Sequence, residues 1–92
     1  MMAMQRVFVS GRVQNVGFRD WTVRRASELD LTGWVRNRTD GRVEILVVGD
    51  DATAAQLVAL CHEGPPTARV DHVAVEVADE RPPKGFTKRF TA

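Results

Sequence analysis

The stretch Gln5-Arg6-Val7-Phe8-Val9-Ser10-Gly11-Arg12-Val13-Gln14-Asn15-Val16-Gly17-Phe18-Arg19-Asp20-Trp21-Thr22-Val23-Arg24-Arg25-Ala26-Ser27-Glu28-Leu29 changes its hydrophobic period partway along. Over residues 5–13, Val7, Val9, Gly11 and Val13 share one face, and Arg6, Phe8, Ser10 and Arg12 share the other. A period of two with β-branched residues reads as a strand buried on one side. Gly11 in its interior predicts a bulge or a close backbone approach. From Phe18 onward, Phe18, Thr22, Ala26 and Leu29 recur at steps of four and three, with Arg24, Arg25 and Glu28 away from that stripe. This is a helical period. The residues between the two patterns form a short loop that ends at a helix N-terminus. Asp30 is a fitting stop for the helix because aspartate tolerates left-handed backbone.

Outward from this unit the chain continues in the same manner. Residues 33–38, with Trp34 and Val35 in the middle, read as a second strand. Thr39-Asp40-Gly41 is a turn, and Asp-Gly is a strong hairpin signal. A third strand follows over 42–48, with Val43, Ile45 and Val47 on one face. Asp50 or Asp51 caps a second helix, in which Ala54, Leu57, Val58 and Cys61 fall on one face. Gly64-Pro65-Pro66 ends it. Residues 68–77 alternate again, with Val73, Val75 and Val77 expected to point inward. A loop over 81–85 leads to residues 86–90, which leave room for a short fifth C-terminal strand. The basic residues there (Arg81, Lys84, Lys88 and Arg89) are expected to be a solvated edge that discourages sheet-edge pairing. The order β-α-β-β-α-β predicts an α+β, ferredoxin-like sandwich. Its two helices should cover one face of an antiparallel sheet. That architecture hosts many activities, so it gives no function by itself.

A chain of 92 residues suits one domain over 1–92, because neither half could bury a useful core. Thirteen basic and twelve acidic residues give a net charge of +1, which argues against broad nucleic-acid binding but leaves room for a local anion site. The single cysteine, Cys61, excludes an intrachain disulfide and fits a reducing compartment. The N-terminus lacks signal-peptide features, and no apolar run could span a bilayer. The expectation is a cytoplasmic monomer with no membrane partner.

Backbone N–H groups at a helix N-terminus lack intrahelical partners and attract anions. In the loop before the first helix, Gly17 lets the backbone approach a ligand, and Arg19 adds a planar charged fork suited to phosphate oxygens. Read alone, the same residues fit a plain turn followed by a solvated arginine. Asn37, just before the hairpin turn, carries both a donor and an acceptor. It could hold a water against a substrate oxygen, or simply bond to its own backbone. His62 and His72 have no partners at metal-ligand spacing, so no metal site is expected. Cys61 falls on the apolar stripe of the second helix and reads as a small buried residue. Trp21 and Trp34 could pack in the core, cover the sheet or rim a pocket. No serine elbow and no P-loop is present.

Together, Val9-Ser10-Gly11-Arg12-Val13-Gln14-Asn15-Val16-Gly17-Phe18-Arg19 and Gly33-Trp34-Val35-Arg36-Asn37-Arg38-Thr39-Asp40-Gly41-Arg42-Val43 resemble the two signatures of the acylphosphatase family. The resemblance extends to length, element order and the Gly64-Pro65-Pro66 segment. It implies metal-independent hydrolysis of a small acyl phosphate with no cofactor, and inorganic phosphate or sulfate as competing anions. It gives Arg19 the role of the phosphate-binding arginine and Asn37 that of the water-positioning asparagine. The backbone N–H groups of Gln14, Asn15, Val16, Gly17 and Phe18 would cradle the phosphate. Asn15 stands where the family usually has glycine, and Asp30 where glycine is common. Asparagine is the least costly ordinary replacement if position 15 needs a positive φ. The alternative is a non-catalytic ferredoxin-like anion- or RNA-binding module. Against RNA, the third strand lacks the aromatics that such a module displays, and the chain has no tyrosine.

Overall fold

Val7 and Val9 on one strand, and Val43, Ile45 and Val47 on another, have no solvent exposure, and these two strands form the centre of the molecule. The computed structural model describes residues 1–92. The elements are β1 (Met2–Arg12), α1 (Phe18–Glu28), β2 (Thr32–Asn37), β3 (Val43–Asp50), α2 (Asp51–Cys61), β4 (Arg69–Val77) and β5 (Phe86–Lys88). The sheet order is β4-β1-β3-β2-β5. The expected α+β sandwich is therefore present with its fifth strand. One detail differs: β5 pairs parallel to β2, so the sheet is mixed rather than wholly antiparallel.

The bulge predicted at Gly11 occurs, as a register shift between Ser10 and Gly11 against β4. Gly11 has φ 123°, and a Cβ there would lie 2.3 Å from the Arg69 carbonyl oxygen, so no other residue fits. The bulge bends the end of β1 and aims the chain into the loop before α1.

Phe18, Thr22 and Ala26 of the predicted stripe are buried, and Trp21 joins them, its ring edge-to-face with Phe18 at 5.3 Å. Thr22 tolerates burial because its hydroxyl donates to the Phe18 carbonyl at 2.8 Å. Asp30 has φ 56°, and the N–H groups of Asp30 and Leu31 return to the carbonyls of Ser27 and Ala26. This pattern is a Schellman motif with aspartate in the left-handed position usually held by glycine. Asp50 caps α2, its carboxylate accepting from the Ala52 N–H. Neither helix is long and apolar enough to cross a membrane.

One expectation for the chain beyond α2 needs correction. Val75 and Val77 are 44% and 88% exposed, so of the three valines predicted to point inward only Val73 packs against the core. They lie on the edge strand, whereas the helices sit over β1, β2, β3 and β5. On the open sheet face, Trp34, Leu46, Val48 and Ala78 form a small cluster of their own. A connection from β4 at one edge to β5 at the other must cross that face. Ala78 and Glu80 lie on the crossing, with the Ala78 N–H on the Met4 carbonyl and Glu80 against Arg6 and Trp34. The crossing covers residues that period-two reading assigns to solvent.

Candidate active site

The loop after β1 reaches α1 through two residues in left-handed backbone, Asn15 with φ 61° and Gly17 with φ 78°. Position 15 thus does need a positive φ, and asparagine supplies it. Gly17 is the N-cap of α1 and provides no side-chain acceptor. None of the consecutive N–H groups from Asn15 to Asp20 donates to a protein acceptor; the first helical bond is from Trp21 to the Gly17 carbonyl at 3.0 Å. A row of free N–H donors at the positive end of a helix dipole can hold an anion.

Asn37 ends β2 and is 8% exposed. Its backbone carbonyl accepts from the Ala92 N–H at 3.0 Å. Its carboxamide makes no hydrogen bond within the protein and instead lines a cavity. The alternative reading, an asparagine bonded to its own backbone, therefore has no counterpart. That cavity, about 190 Å³, is also lined by Val13, Asn15, Gly17, Phe18, Arg19, Asp20 and Lys88. Arg19 and Asn37, far apart in sequence, thus share one concave site.

Gln14 and Val16 are not among the lining residues. Gln14 turns away and donates its side-chain amide to the carbonyls of Arg38 at 2.7 Å and Arg42 at 2.9 Å. Val16 is tied on the opposite side, its carbonyl accepting from the Thr67 hydroxyl at 2.6 Å. Both residues hold the loop in place. Neither anchor has a signal in the sequence, because each bond joins segments far apart.

Lys88 was expected on a solvated edge, but it lines the cavity instead. The parallel pairing of β5 with β2 brings it beside the first turn of α1, where its ammonium donates to Asp20 Oδ1 at 2.9 Å. That hydrogen bond and charge hold the Asp20 carboxyl below the ordinary aspartate range. Arg19 donates to the Arg89 carbonyl at 3.3 Å, which steers the guanidinium toward the C-terminal segment. Two cations and one paired carboxylate leave the site with positive charge.

Other candidates take no part in it. Cys61 is buried, and desolvation pushes its thiol up to about 12, so it is a packing residue rather than a nucleophile. His62 and His72 are exposed on separate elements, and no three His, Cys, Asp or Glu side chains are grouped so that they could hold a metal ion. Trp21 lies in the main core. Trp34 lies on the open sheet face, 2% exposed beneath the guanidinium groups of Arg36 and Arg89.

Residues 5–90 match the family model described as Acylphosphatase. The chain is 48% identical over 90 residues to an acylphosphatase of Acidiphilium cryptum, covering 98% of this chain and 99% of the relative. It is 53% identical over 85 residues to an acylphosphatase of Rubrobacter xylanophilus, covering 92% of this chain and 74% of that one. Among solved structures, an acylphosphatase from Coxiella burnetii superposes with a TM-score of 0.91 at 38% identity, covering 96% of this chain and 93% of the other.

Proposed function

Because this chain belongs to the acylphosphatase family, hydrolases that act on acid anhydrides, we propose that its cavity binds the phosphoryl group of a small acyl phosphate and delivers water to it. The observation that carries this reading is the meeting of three groups on one cavity: the Arg19 guanidinium, the Asn37 carboxamide and the free N–H row that ends at Asp20.

The proposed step follows from that arrangement. The N–H row and Arg19 hold the non-bridging phosphoryl oxygens. Asn37 accepts a hydrogen bond from a water and sets its oxygen in line with phosphorus and the leaving carboxylate. As the water oxygen bonds to phosphorus, the bridging P–O bond breaks and its electron pair leaves with the carboxylate. The water's proton passes to a phosphate oxygen of the substrate, since the one carboxylate on the cavity, Asp20, is engaged by Lys88. A carboxylate is a good leaving group, so positioning and charge stabilisation suffice. No serine, threonine, cysteine or histidine lines the cavity, which supports direct attack by water rather than a covalent intermediate. Metal independence is supported by the donor set, in which the one carboxylate is already paired with Lys88 and two cationic side chains stand beside it.

The RNA-binding alternative loses support from the open sheet face. Trp34 there is covered by two arginines rather than presented for stacking.

The deciding experiment is hydrolysis of benzoyl phosphate by the wild type and N37A, each with a chelator present. The expected result is turnover by the wild type, retained with chelator, and a large loss in N37A. Near-normal turnover by both N37A and R19A would show that the mechanism is wrong.

A further inference from the structure

We propose that a second concavity, beside the phosphate pocket, receives the acyl half of the substrate, and that the Lys88 ammonium at their junction meets the departing carboxylate. This rests on the reading above, in which the pocket holds the phosphoryl half.

The second concavity is a groove of about 400 Å³ lined by Arg19, Lys88, Arg89, Phe90 and Thr91. Arg19 and Lys88 line both spaces, so the two cations stand where pocket and groove join. Asn37 lines the pocket and not the groove. An in-line displacement sends the leaving group away from the attacking water. With the water held at Asn37, the acyl group departs on the side away from it, and the groove is the concave space that Asn37 does not touch.

The seam has the chemistry this placement requires. Negative charge develops on the bridging oxygen as the P–O bond breaks, and a fixed cation beside it lowers the barrier. Lys88 is fixed by its bond to Asp20 at 2.9 Å, and an ammonium has three donors, so two remain for substrate. The groove wall is anchored as well. The Arg89 N–H donates to the Val35 carbonyl at 2.8 Å, and the Thr39 N–H to the Ala92 carbonyl at 2.9 Å. Beyond the cations, Phe90 is 95% exposed and offers bare apolar surface. A flat or bulky apolar acyl group would cover that ring, whereas an acetyl group has little apolar surface to set against it. The groove therefore favours acyl phosphates with a planar or bulky apolar acyl group.

The test is steady-state hydrolysis by the full chain, F90A and K88M. Benzoyl and acetyl phosphate read the groove. A series of para-substituted benzoyl phosphates reads the leaving group. F90A should lower the benzoyl-to-acetyl ratio of kcat/KM by roughly fivefold, the scale of one aromatic contact. K88M should make kcat depend more steeply on the pKa of the departing acid, and K88R should return part of the original slope. A residue that only supports the fold would lower every rate alike and leave the slope unchanged. If the wild type hydrolyses both substrates but the F90A ratio and the K88M slope both match it, the subsite is overturned and the hydrolysis stands. A wild type that hydrolyses neither substrate overturns the reading of the pocket itself.

Discussion

The side chain of Gln14 donates to the backbone carbonyl of Arg38 at 2.7 Å, which fastens the loop before α1 to the hairpin that carries Asn37. The same amide reaches the Arg42 carbonyl, so it spans the two sides of the turn between β2 and β3. Gln14→Ala should cost about 1–2 kcal/mol in urea denaturation for two lost hydrogen bonds. It should also lower kcat by about tenfold, because Asn37 and the loop would no longer be held in fixed relation. The inhibition constant of inorganic phosphate should change less than kcat, since the N–H row remains. A folded Q14A enzyme with unchanged kcat would show that this fastening does not align the site.

Asn37→Ala removes the amide proposed to hold the water but not the strand. Its backbone carbonyl still accepts from Ala92, and β2 keeps its pairing with β3. The expected loss is about a hundredfold in kcat, with little change in competitive inhibition by phosphate. Loss of phosphate binding of the same size as the loss of kcat would place Asn37 on the phosphate rather than on the water.

Arg19 should behave in the opposite way. R19A should raise the inhibition constants of phosphate and sulfate and lower turnover together, because in the proposed step the same guanidinium holds ground-state and reacting oxygens. R19K should not restore activity, since an ammonium cannot make the forked contact. Recovery by lysine would mean that charge alone suffices at this position.

Much of this was legible in the sequence, and what was not has a common cause. The strand, loop and helix over residues 5–29, the stop at Asp30 and the Asp40-Gly41 turn are set by local period and local backbone preference. The roles of Gln14, Thr67 and Lys88 depend on contacts between distant segments, to which period and propensity are blind. Lys88 in particular reads as a solvated basic residue until β5 is known to pair parallel with β2. Val75 and Val77 are exposed despite their alternation, because alternation reports which face a side chain takes, and not whether anything covers it. Leu46, Val48 and Trp34 are buried by a crossing connection whose path no local pattern specifies.

On the open sheet face, Glu44 is 2% exposed and is held by Arg36 at 2.9 Å, Arg38 at 3.0 Å and Arg6 at 3.1 Å. Burial alone would raise its pKa, but the hydrogen bonds from Arg36 and Arg38 bring it below the ordinary glutamate value. A folded-state pKa below the unfolded value of about 4.3 contributes stability above that pH. The contribution is lost as pH falls toward the folded value. E44Q should destabilise the protein by about 3 kcal/mol at pH 7, because three arginines lose a buried counter-charge. Asp20 and Asp40 also have lowered pKa values and remain in the variant, so the wild type will not be the only form to weaken in acid. The difference between the two urea midpoints should shrink as pH falls from about 5 to 3. A difference that stays constant over that range would mean that the Glu44 charge contributes nothing.

Asn15 and Asp30 are the two non-glycine residues with positive φ, and they separate stability from function. A left-handed residue with a Cβ costs about 1 kcal/mol relative to glycine. D30G should therefore raise stability by about 0.5–1 kcal/mol, a gain limited by the greater entropy of glycine in the unfolded chain. Asp30 closes the Schellman motif through its backbone and is absent from the cavity, so D30G should leave kcat and KM unchanged. N15G should relieve similar backbone strain, but Asn15 lines the cavity. Its loss should weaken phosphate inhibition by about tenfold, the low end of what one hydrogen bond to an anion is worth. Urea midpoints and phosphate inhibition constants measured on both variants provide the check. The expected pattern is two stabilised proteins of which only N15G has altered anion binding. If N15G bound phosphate as the wild type does, position 15 would contribute backbone geometry alone, and the asparagine there would be interchangeable with the family's glycine.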